Sequence, residues 1–427
     1  MMKGVGMAMD NSATPRIHLP WAGKKVNQEQ VEGELSTLWH LAADNMRISQ
    51  NMNVRTSVLN FVICAQDIES ARKASAILRD LSSTHIARVT LLILDTRSDA
   101  PSEVSTWITL RSFPIISDIM RHHFEQITIS VGGSAIRFVD NIVQSTLKPD
   151  LPVYLWWLND LPEDHEIFHR LINISNRVII DSSHFLQPEE QIQDASAILQ
   201  KSPHCALSDL TWGRVTAWRE LIAQFFDITE YRPYVMGVDS ILIEHTVATS
   251  TQALDHHSNP KNPIRALLLA AWLKNRLGWQ LSDDPSDNDI DHETGTYSWH
   301  MSTRDMTKVV TQPLSVSAGG RRMSAPLGGI RISIQPRALG KSAPGTLCLV
   351  HMTSTVHGKQ ATFTIQRGDD DDHVLTSVEL PGSVRPPRTV NIAATHKESD
   401  LLHNELEIMG RDRLYEMTLH EVFALLA

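Results

Sequence analysis

The sequence predicts an α/β protein in two parts: an N-terminal, mainly parallel sheet flanked by helices, then a C-terminal α+β domain built on an antiparallel sheet. Three observations carry this reading. Between about residues 55 and 205, apolar runs of strand length alternate with helical stretches, which is the mark of βαβ units. Those runs are apolar at successive positions, so both faces of their sheet must be covered. Beyond about Pro203 the pattern changes, and strand-like runs follow one another with Gly, Pro and Asp between them, as in an antiparallel sheet. The expected divisions are a loose tail at 1–27, an α/β domain at 28–205 and a C-terminal α+β domain at 206–427.

The elements follow in order. Val31, Leu35, Leu38 and Leu41 recur at helical spacing in "VNQEQVEGELSTLWHLAADNM". From Arg55 the period shortens: "TSVLNFVICA" is a strand, "DIESARKASAILRDLSS" a helix and "ARVTLLILD" a strand. "QITISV" is a strand, "GGSAIRFVDNIVQSTL" a helix, "PVYLWWLN" a strand, "EDHEIFHRLINIS" a helix and "RVIIDSS" a strand. Trp156 and Trp157 must then point to opposite faces, because strand side chains alternate. Helical stretches at 209–227 and 263–278 flank a strand in "YVMGVDSILIEHTV". "GGIRISIQP", "TLCLVHMTS", "ATFTIQRG" and "VLTSVEL" are the antiparallel strands, and a helix from about Asp400 to Leu426 closes the chain. Segments 282–296 and 315–329 read as loops.

At 427 residues the chain is long enough for two or three domains. Its 42% hydrophobic and 21% charged residues describe a folded globular protein. The net charge of -10 argues against a general binder of nucleic acid or anionic membrane, since both require basic surface. Cys64, Cys205 and Cys348 lie far apart without a CxxC pair, which suits a reducing compartment and neither a disulfide framework nor a zinc site. No segment has signal-peptide form or approaches the roughly 18 apolar residues of a membrane span. The expectation is a cytoplasmic protein.

Ligands of open parallel sheets sit beyond the carboxyl ends of the strands. Asp67, Asp95, Gly132-Gly133, Asn159-Asp160 and Asp181-Ser182-Ser183-His184 lie there. Asn159, Asp160, Asp181 and His184 are the candidate crevice residues, because carboxylates beside a histidine suit proton transfer. Helix capping by Asp and Ser is the simpler account. "SVGGSA" lacks the third glycine of GxGxxG and the GK[ST] of a P-loop. Arg321 and Arg322 follow glycines in "SAGGRRMS", which reads as a loop more readily than as a phosphate grip. His122-His123 and His256-His257 are adjacent pairs that diverge on regular elements, "RGDDDDH" lacks EF-hand spacing, and G-x-S-x-G is absent. No metal, cofactor or catalytic set is expected.

"DLTWGRVTAWRELIAQFFD" at 209–227 places Arg214 and Arg219 within an aromatic helical face, with Trp218 set to stack on Arg214 and Trp212 beside Arg219. Such arginines need carboxylate or carbonyl partners. Two readings stay open. The group locks the two domains together by internal pairing, or Trp212, Arg214, Trp218 and Arg219 anchor another protein, as Trp and Arg do at binding hot spots.

"DLPVYLWWLNDLP" at 150–162, "RVIIDSS" at 177–183, the 209–227 segment, "LLLAAWLKNRLGW" at 267–279 and "LLHNELEIMGRDRLYEMTL" at 401–419 together resemble the OpcA family of glucose-6-phosphate dehydrogenase assembly proteins. The resemblance runs in order from about residue 30 to the end. It implies a non-catalytic partner of glucose-6-phosphate dehydrogenase, the entry enzyme of the oxidative pentose phosphate pathway, that promotes its active oligomeric state. In cyanobacteria the family is also associated with thioredoxin-linked control through paired C-terminal cysteines. This chain departs from that pattern, since no cysteine follows Cys348. Beside the allosteric partner stand two alternatives: a sugar-phosphate enzyme using Asp160, Asp181 and His184 as acid and base, or a metabolite sensor that uses the same crevice for binding alone.

Overall fold

A computed structural model describes residues 19–49, 52–54, 57–81, 87–97, 99–114, 120–158, 160–161, 166–248, 259–292, 294–303, 329–338, 342–368, 370, 372–392, 397–408 and 410–427. Two large sheets organise them. The first contains β1 (Lys24–Val26), β2 (Met52–Val54), β3 (Leu59–Ala65), β4 (Ala87–Asp95), β5 (Val104–Pro114), β6 (Met120–Gly132), β7 (Val153–Trp157), β8 (Arg177–Ile180) and β9 (Ala206–Asp209). Their order is β1-β5-β6-β4-β3-β7-β8-β9, with β2 beside β6. From β6 through β9 every pairing is parallel. The first sheet therefore continues four residues past the position where the sequence changes character.

Helices α1 (Val31–Ser49), α2 (Ile68–Leu81), α3 (Val139–Gln144), α4 (Glu166–Asn173) and α5 (Pro188–Lys201) alternate with those strands. β3 is buried at every position and β8 at all four, as a sheet sealed on both faces requires. The tandem tryptophans divide as the strand period demands. Trp156 stacks on Phe61 at 6.2 Å in one core, and Trp157 meets Phe168 of α4 edge-on at 5.0 Å in the other.

The second sheet contains β10 (Val238–Val247), β11 (Trp279–Leu281), β12 (Asp289–Asp291), β13 (Thr296–Thr303), β14 (Ile330–Ala338), β15 (Leu347–Val356), β16 (Lys359–Arg367), β17 (His373–Leu380), β18 (Ser383–Val384) and β19 (Arg388–Asn391). Its order is β11-β13-β14-β10-β15-β16-β17-β18, with β12 on β13 and β19 on β17. Only the β10–β14 pair is parallel among the described strands of this sheet. Buried and part-exposed residues alternate along β13 to β17, so one face meets the core. That face is covered by α7 (Thr216–Asp227), α8 (Arg232–Val235), α9 (Ile264–Leu277) and α11 (Arg413–Leu426), the last packed on α9, while α6 (Leu210–Arg214) lies between β9 and α9.

Three sequence expectations change in detail. β5 pairs antiparallel with β6 and was not anticipated, because a strand near the sheet edge carries Ser105, Thr106, Thr109 and Arg111 instead of a continuous apolar run. The 209–227 segment is two helices, not one, with the break at Val215 (φ -87°, ψ -2°). The closing helix is also two. α10 (Glu398–Glu407) packs back on α2 of the first sheet, and the chain then turns through Gly410, whose φ of 85° lies in the left-handed region that glycine adopts without strain. The apolar core is continuous from the first sheet through α7, α9 and α11 to the second. Segment 315–328 with Arg321 and Arg322, the 256–257 histidines and Asn159 lie outside the described residues.

Candidate functional site

β8 ends just before Asp181 and its parallel neighbour β9 ends at Asp209, on the carboxyl edge of the sheet but to one side of the β3–β7 boundary where the strand order reverses. Each carboxylate first satisfies the turn that follows it. Asp181 accepts from the Ser183 amide at 3.2 Å and its hydroxyl at 2.6 Å. Asp209 caps α6 through the Thr211 amide at 2.9 Å, and also accepts from the Ser182 amide at 3.1 Å and hydroxyl at 2.5 Å.

The rest of the chain then closes over them. Arg214, the last residue of α6, grips Asp181 with both guanidinium ends, Nη1 to Oδ1 at 2.6 Å and Nη2 to Oδ2 at 2.7 Å. Their side chains are 9% and 5% exposed. Asn262, just before α9, donates to the carbonyls of Ser182 at 3.0 Å and Ser183 at 3.1 Å. The buried Tyr415 of α11 donates to Asp209 at 3.4 Å. Residues of α6, α9 and α11 thus meet the strand ends of the first sheet.

Electrostatics separates the two aspartates. Burial opposes ionisation of Asp181, but Arg214, His184 and the Ser183 hydroxyl outweigh it and hold its pKa far below the ordinary carboxylate range. For Asp209 burial and the neighbouring Asp181 charge win over its hydrogen bonds and push the pKa up to about 6. The buried Glu405 of α10 is pushed up to about 7, chiefly by burial.

A second layer of contacts holds the C-terminal helices to the first sheet. Arg177 of β8 donates to the carbonyls of Ile408, at 3.0 Å, and Gly410. Arg411 reaches the Pro203 carbonyl at 2.8 Å. Trp212 donates its indole N–H to Asp412 at 3.0 Å, while Arg219 lies 3.5 Å over one face of that indole and Tyr415 sits at 5.6 Å.

Of the expected partner-binding residues, Trp212 and Trp218 are only 4% and 2% exposed. The anticipated stack of Arg214 on Trp218 does not form. The helix break at Val215 takes Arg214 away to Asp181, and Arg367 of β16 faces the Trp218 ring at 5.8 Å instead. All four side chains make internal contacts, and the two tryptophans are covered, whereas Arg214 and Arg219 keep part of their surface in solvent.

Of the expected crevice residues, Asp181 and His184 come together, and Asp160 serves a neighbouring turn. Asp160 holds the Leu186 amide at 3.1 Å, and His184, half exposed, lies 3.3 Å from Asp181. Asp181 is available as an acid or base only if Arg214 lets go. Asp209, Asn262, Arg367, Asp412 and Tyr415 were not singled out in the sequence. Only the capping position of Asp209 before "LTWGR" gave a local signal; the Trp212–Asp412 contact joins residues 200 positions apart.

A cavity of about 430 Å³ adjoins the junction between the start of α5 and the β12–β13 hairpin, lined by Pro188, Glu189, Gln193, Lys261, His292 and Tyr297 among others. Tyr297 donates its hydroxyl to Glu189, and His292 lies 2.8 Å from the same carboxylate. Among the described residues no three His, Cys, Asp or Glu side chains group as metal ligands, and no helix is long and apolar enough to cross a membrane.

Two models of one family, that of the glucose-6-phosphate dehydrogenase subunit, match the chain. Residues 78–197 match its N-terminal domain and residues 205–419 its C-terminal domain. Among curated proteins, the OxPP cycle protein OpcA of Synechocystis is 25% identical over 305 residues, 71% of this chain and 56% of that protein. The OpcA of Synechococcus elongatus is 25% identical over 349 residues, 81% of this chain and 69% of that one. The chain thus spans little more than half the length of the Synechocystis relative. A 3-ketoreductase from Actinomadura kijaniata aligns over 85% of this chain and 94% of its own, at 8% identity and a TM-score of 0.44, a likeness too slight to carry fold or function. With both halves matched by models of one family, the chain belongs to the OpcA family of glucose-6-phosphate dehydrogenase subunits.

Proposed function

We propose that this chain is a non-catalytic assembly partner and allosteric activator of glucose-6-phosphate dehydrogenase in the oxidative pentose phosphate pathway, acting in the cytoplasm. The observation that carries the reading is the sealed junction beyond β8 and β9. The carboxyl ends of these two strands are filled by Arg214, Asn262 and Tyr415 of the same chain, in a family described by its dehydrogenase. The sealed junction supports a rigid body that works through its surface.

Activation then requires only that the chain bind the active oligomer of the dehydrogenase more tightly than the inactive form. Each 1.4 kcal/mol or so of differential binding shifts that equilibrium about tenfold. The test is dehydrogenase rate against glucose 6-phosphate concentration, with the cognate enzyme, with and without this chain, beside a mass measurement of the mixture. A larger particle with a lower apparent KM or a higher kcat is expected. An unchanged rate and mass would sink the proposal. The cavity beside Glu189 and His292 favours a second reading, a metabolite sensor, whose signature is a ligand that raises the melting temperature without being turned over.

A further inference from the structure

The two sheets differ in how they are covered, and the difference exposes a surface. In the second sheet Ile332, Ile334, Ile241, Ile243, Val350, Met352, Phe363 and Ile365 turn inward and are at most 1% exposed. Their neighbours turn outward and are part exposed, with His300 at one edge bonded to the Asp287 carbonyl. The strand registers align those neighbours in rows. The middle row runs Ser298, Ser333, Leu242, His351, Thr364, Ser377 across six strands. It contains no carboxylate, ammonium or guanidinium. His351 shares a hydrogen bond with Thr364 at 2.9 Å, and the Ser298 and Ser333 hydroxyls lie 3.3 Å apart, so the row is also internally ordered.

Full charges stand in the flanking rows. One row runs from His300 and Arg331 at one side to Glu379 at the far end, and Glu244, in the other, is neutralised by Arg337 at 2.8 Å. The lack of charge at the centre matches the depletion of charged residues in interface cores. Size agrees. Six strands at roughly 4.8 Å spacing and three outward rows roughly 6.8 Å apart give on the order of 600 Å² before side-chain relief is counted. A standard interface needs about 800 Å² per partner.

We propose that this open face, centred on Leu242, His351 and Thr364, is the surface by which the chain docks on glucose-6-phosphate dehydrogenase. The inference rests on the activator reading above and names its contact surface. The occupant follows from what lies on the face: all six strands fall within residues 205–419, the part matched to the C-terminal domain of the dehydrogenase-subunit family. The surface fits a flat partner face of hydroxyl and amide groups with few charges, not a strongly acidic or basic one.

The test places charge at the centre of the face. Ser333→Glu with Thr364→Glu puts two carboxylates either side of Leu242, and Val384→Glu on the exposed β18 hairpin is the control. Binding of full-length variants to the cognate dehydrogenase is read by mass photometry, with unfolding midpoints measured alongside. Like charges buried without partners should weaken association by about 100-fold or more. The control should bind as the parent does, and all three proteins should unfold within a few degrees of one another. A Ser333→Glu/Thr364→Glu protein that is folded and binds within about threefold of the parent would overturn the assignment while leaving the activator reading intact. If instead the parent runs as a dimer that the double variant breaks while dehydrogenase binding is retained, the face belongs to a second copy and the assignment also fails. A parent that never binds the dehydrogenase removes the activator reading itself, before any variant is compared.

Discussion

Neighbouring residues on β7 and on β15 have opposite relations to solvent. On β7, Trp156 and Trp157 face different cores and both are at most 1% exposed. On β15, Val350 and Met352 are as deeply buried, but His351 between them is part exposed. The first sheet is a wall sealed on both sides, and the ends of β8 and β9 are plugged as well. The second is sealed on one side only. In the first sheet an internal joint occupies the ends of β8 and β9, whereas a sheet covered on one face keeps a broad platform. Rigidity in the first sheet and access in the second suit a protein that works by contact.

The largest effect should come from breaking the joint. Arg214→Met leaves Asp181 buried and charged without its partner, which costs about 3–5 kcal/mol. The urea midpoint should fall accordingly, with loss of folded protein as the extreme outcome. Adding Asp181→Asn to Arg214→Met should recover much of that loss, since a buried pair replaced at both ends is far less costly than one broken at one end. If the single variant is as stable as the parent, the joint does not hold the two sheets together.

Next comes a pairwise comparison of faces. Trp156→Ala and Trp157→Ala should each cost about 3–5 kcal/mol, because both sides of the first sheet are core. On the second sheet, Met352→Ala should cost about 2–5 kcal/mol but His351→Ala within about 0.5 kcal/mol. Equal losses at Met352 and His351 in chemical denaturation would show that the outer face is covered in solution, and the contrast between the sheets would disappear.

A smaller effect separates the acids of the joint by pH. Asp181 has a folded pKa below its unfolded one, so its stabilisation is present above about pH 4 and is lost only in stronger acid. Asp209 and Glu405 are shifted the other way, to about 6 and about 7. Each then takes up about one proton on folding between its unfolded and folded pKa, so stability should fall by up to roughly 1.4 kcal/mol per pH unit per group as pH rises from about 4.5 to 6.5. Glu405→Gln should flatten that slope in unfolding free energies measured across the window. A slope of the same size in the variant would remove Glu405 from the account.

Much of this architecture was legible because it is local. Apolar runs at 59–65, 87–95 and 153–157 marked central strands, and the strand-like runs after residue 330, broken by Gly, Pro and Asp, marked an antiparallel sheet. What was missed depends on distant parts of the chain. β5 has the mixed polarity of a strand near an edge, so no run announced it. The 209–227 segment has an amphipathic period throughout, and its break at Val215 is fixed by Arg214 turning to Asp181, 33 positions away in sequence. The aromatic and arginine content of that helix was visible, but its partners Asp412 and Tyr415 come from the far end of the chain. The middle row of the open face was invisible for the same reason, since register between six strands assembles it.

The cysteines provide the gentlest probe of the contrast. Cys64 lies on β3, between the two covered faces of the first sheet, and Cys348 lies near the start of β15 in the second; both are at most 2% exposed. Burial raises both thiols, Cys64 beyond the titratable range and Cys348 to about 11, so neither is a thiolate near neutral pH. Cys205 is likewise pushed up to about 12. A thiol reagent should therefore leave the native chain unmodified, and mild oxidation should not change its binding to the dehydrogenase. In urea below the unfolding midpoint the sheets should part company. Cys348 needs only one covered face to loosen, whereas Cys64 needs the joint or the whole first sheet to open, so Cys348 should be labelled first in a mass-resolved time course. Labelling of Cys64 ahead of Cys348 would mean that the sealed sheet is the less stable of the two.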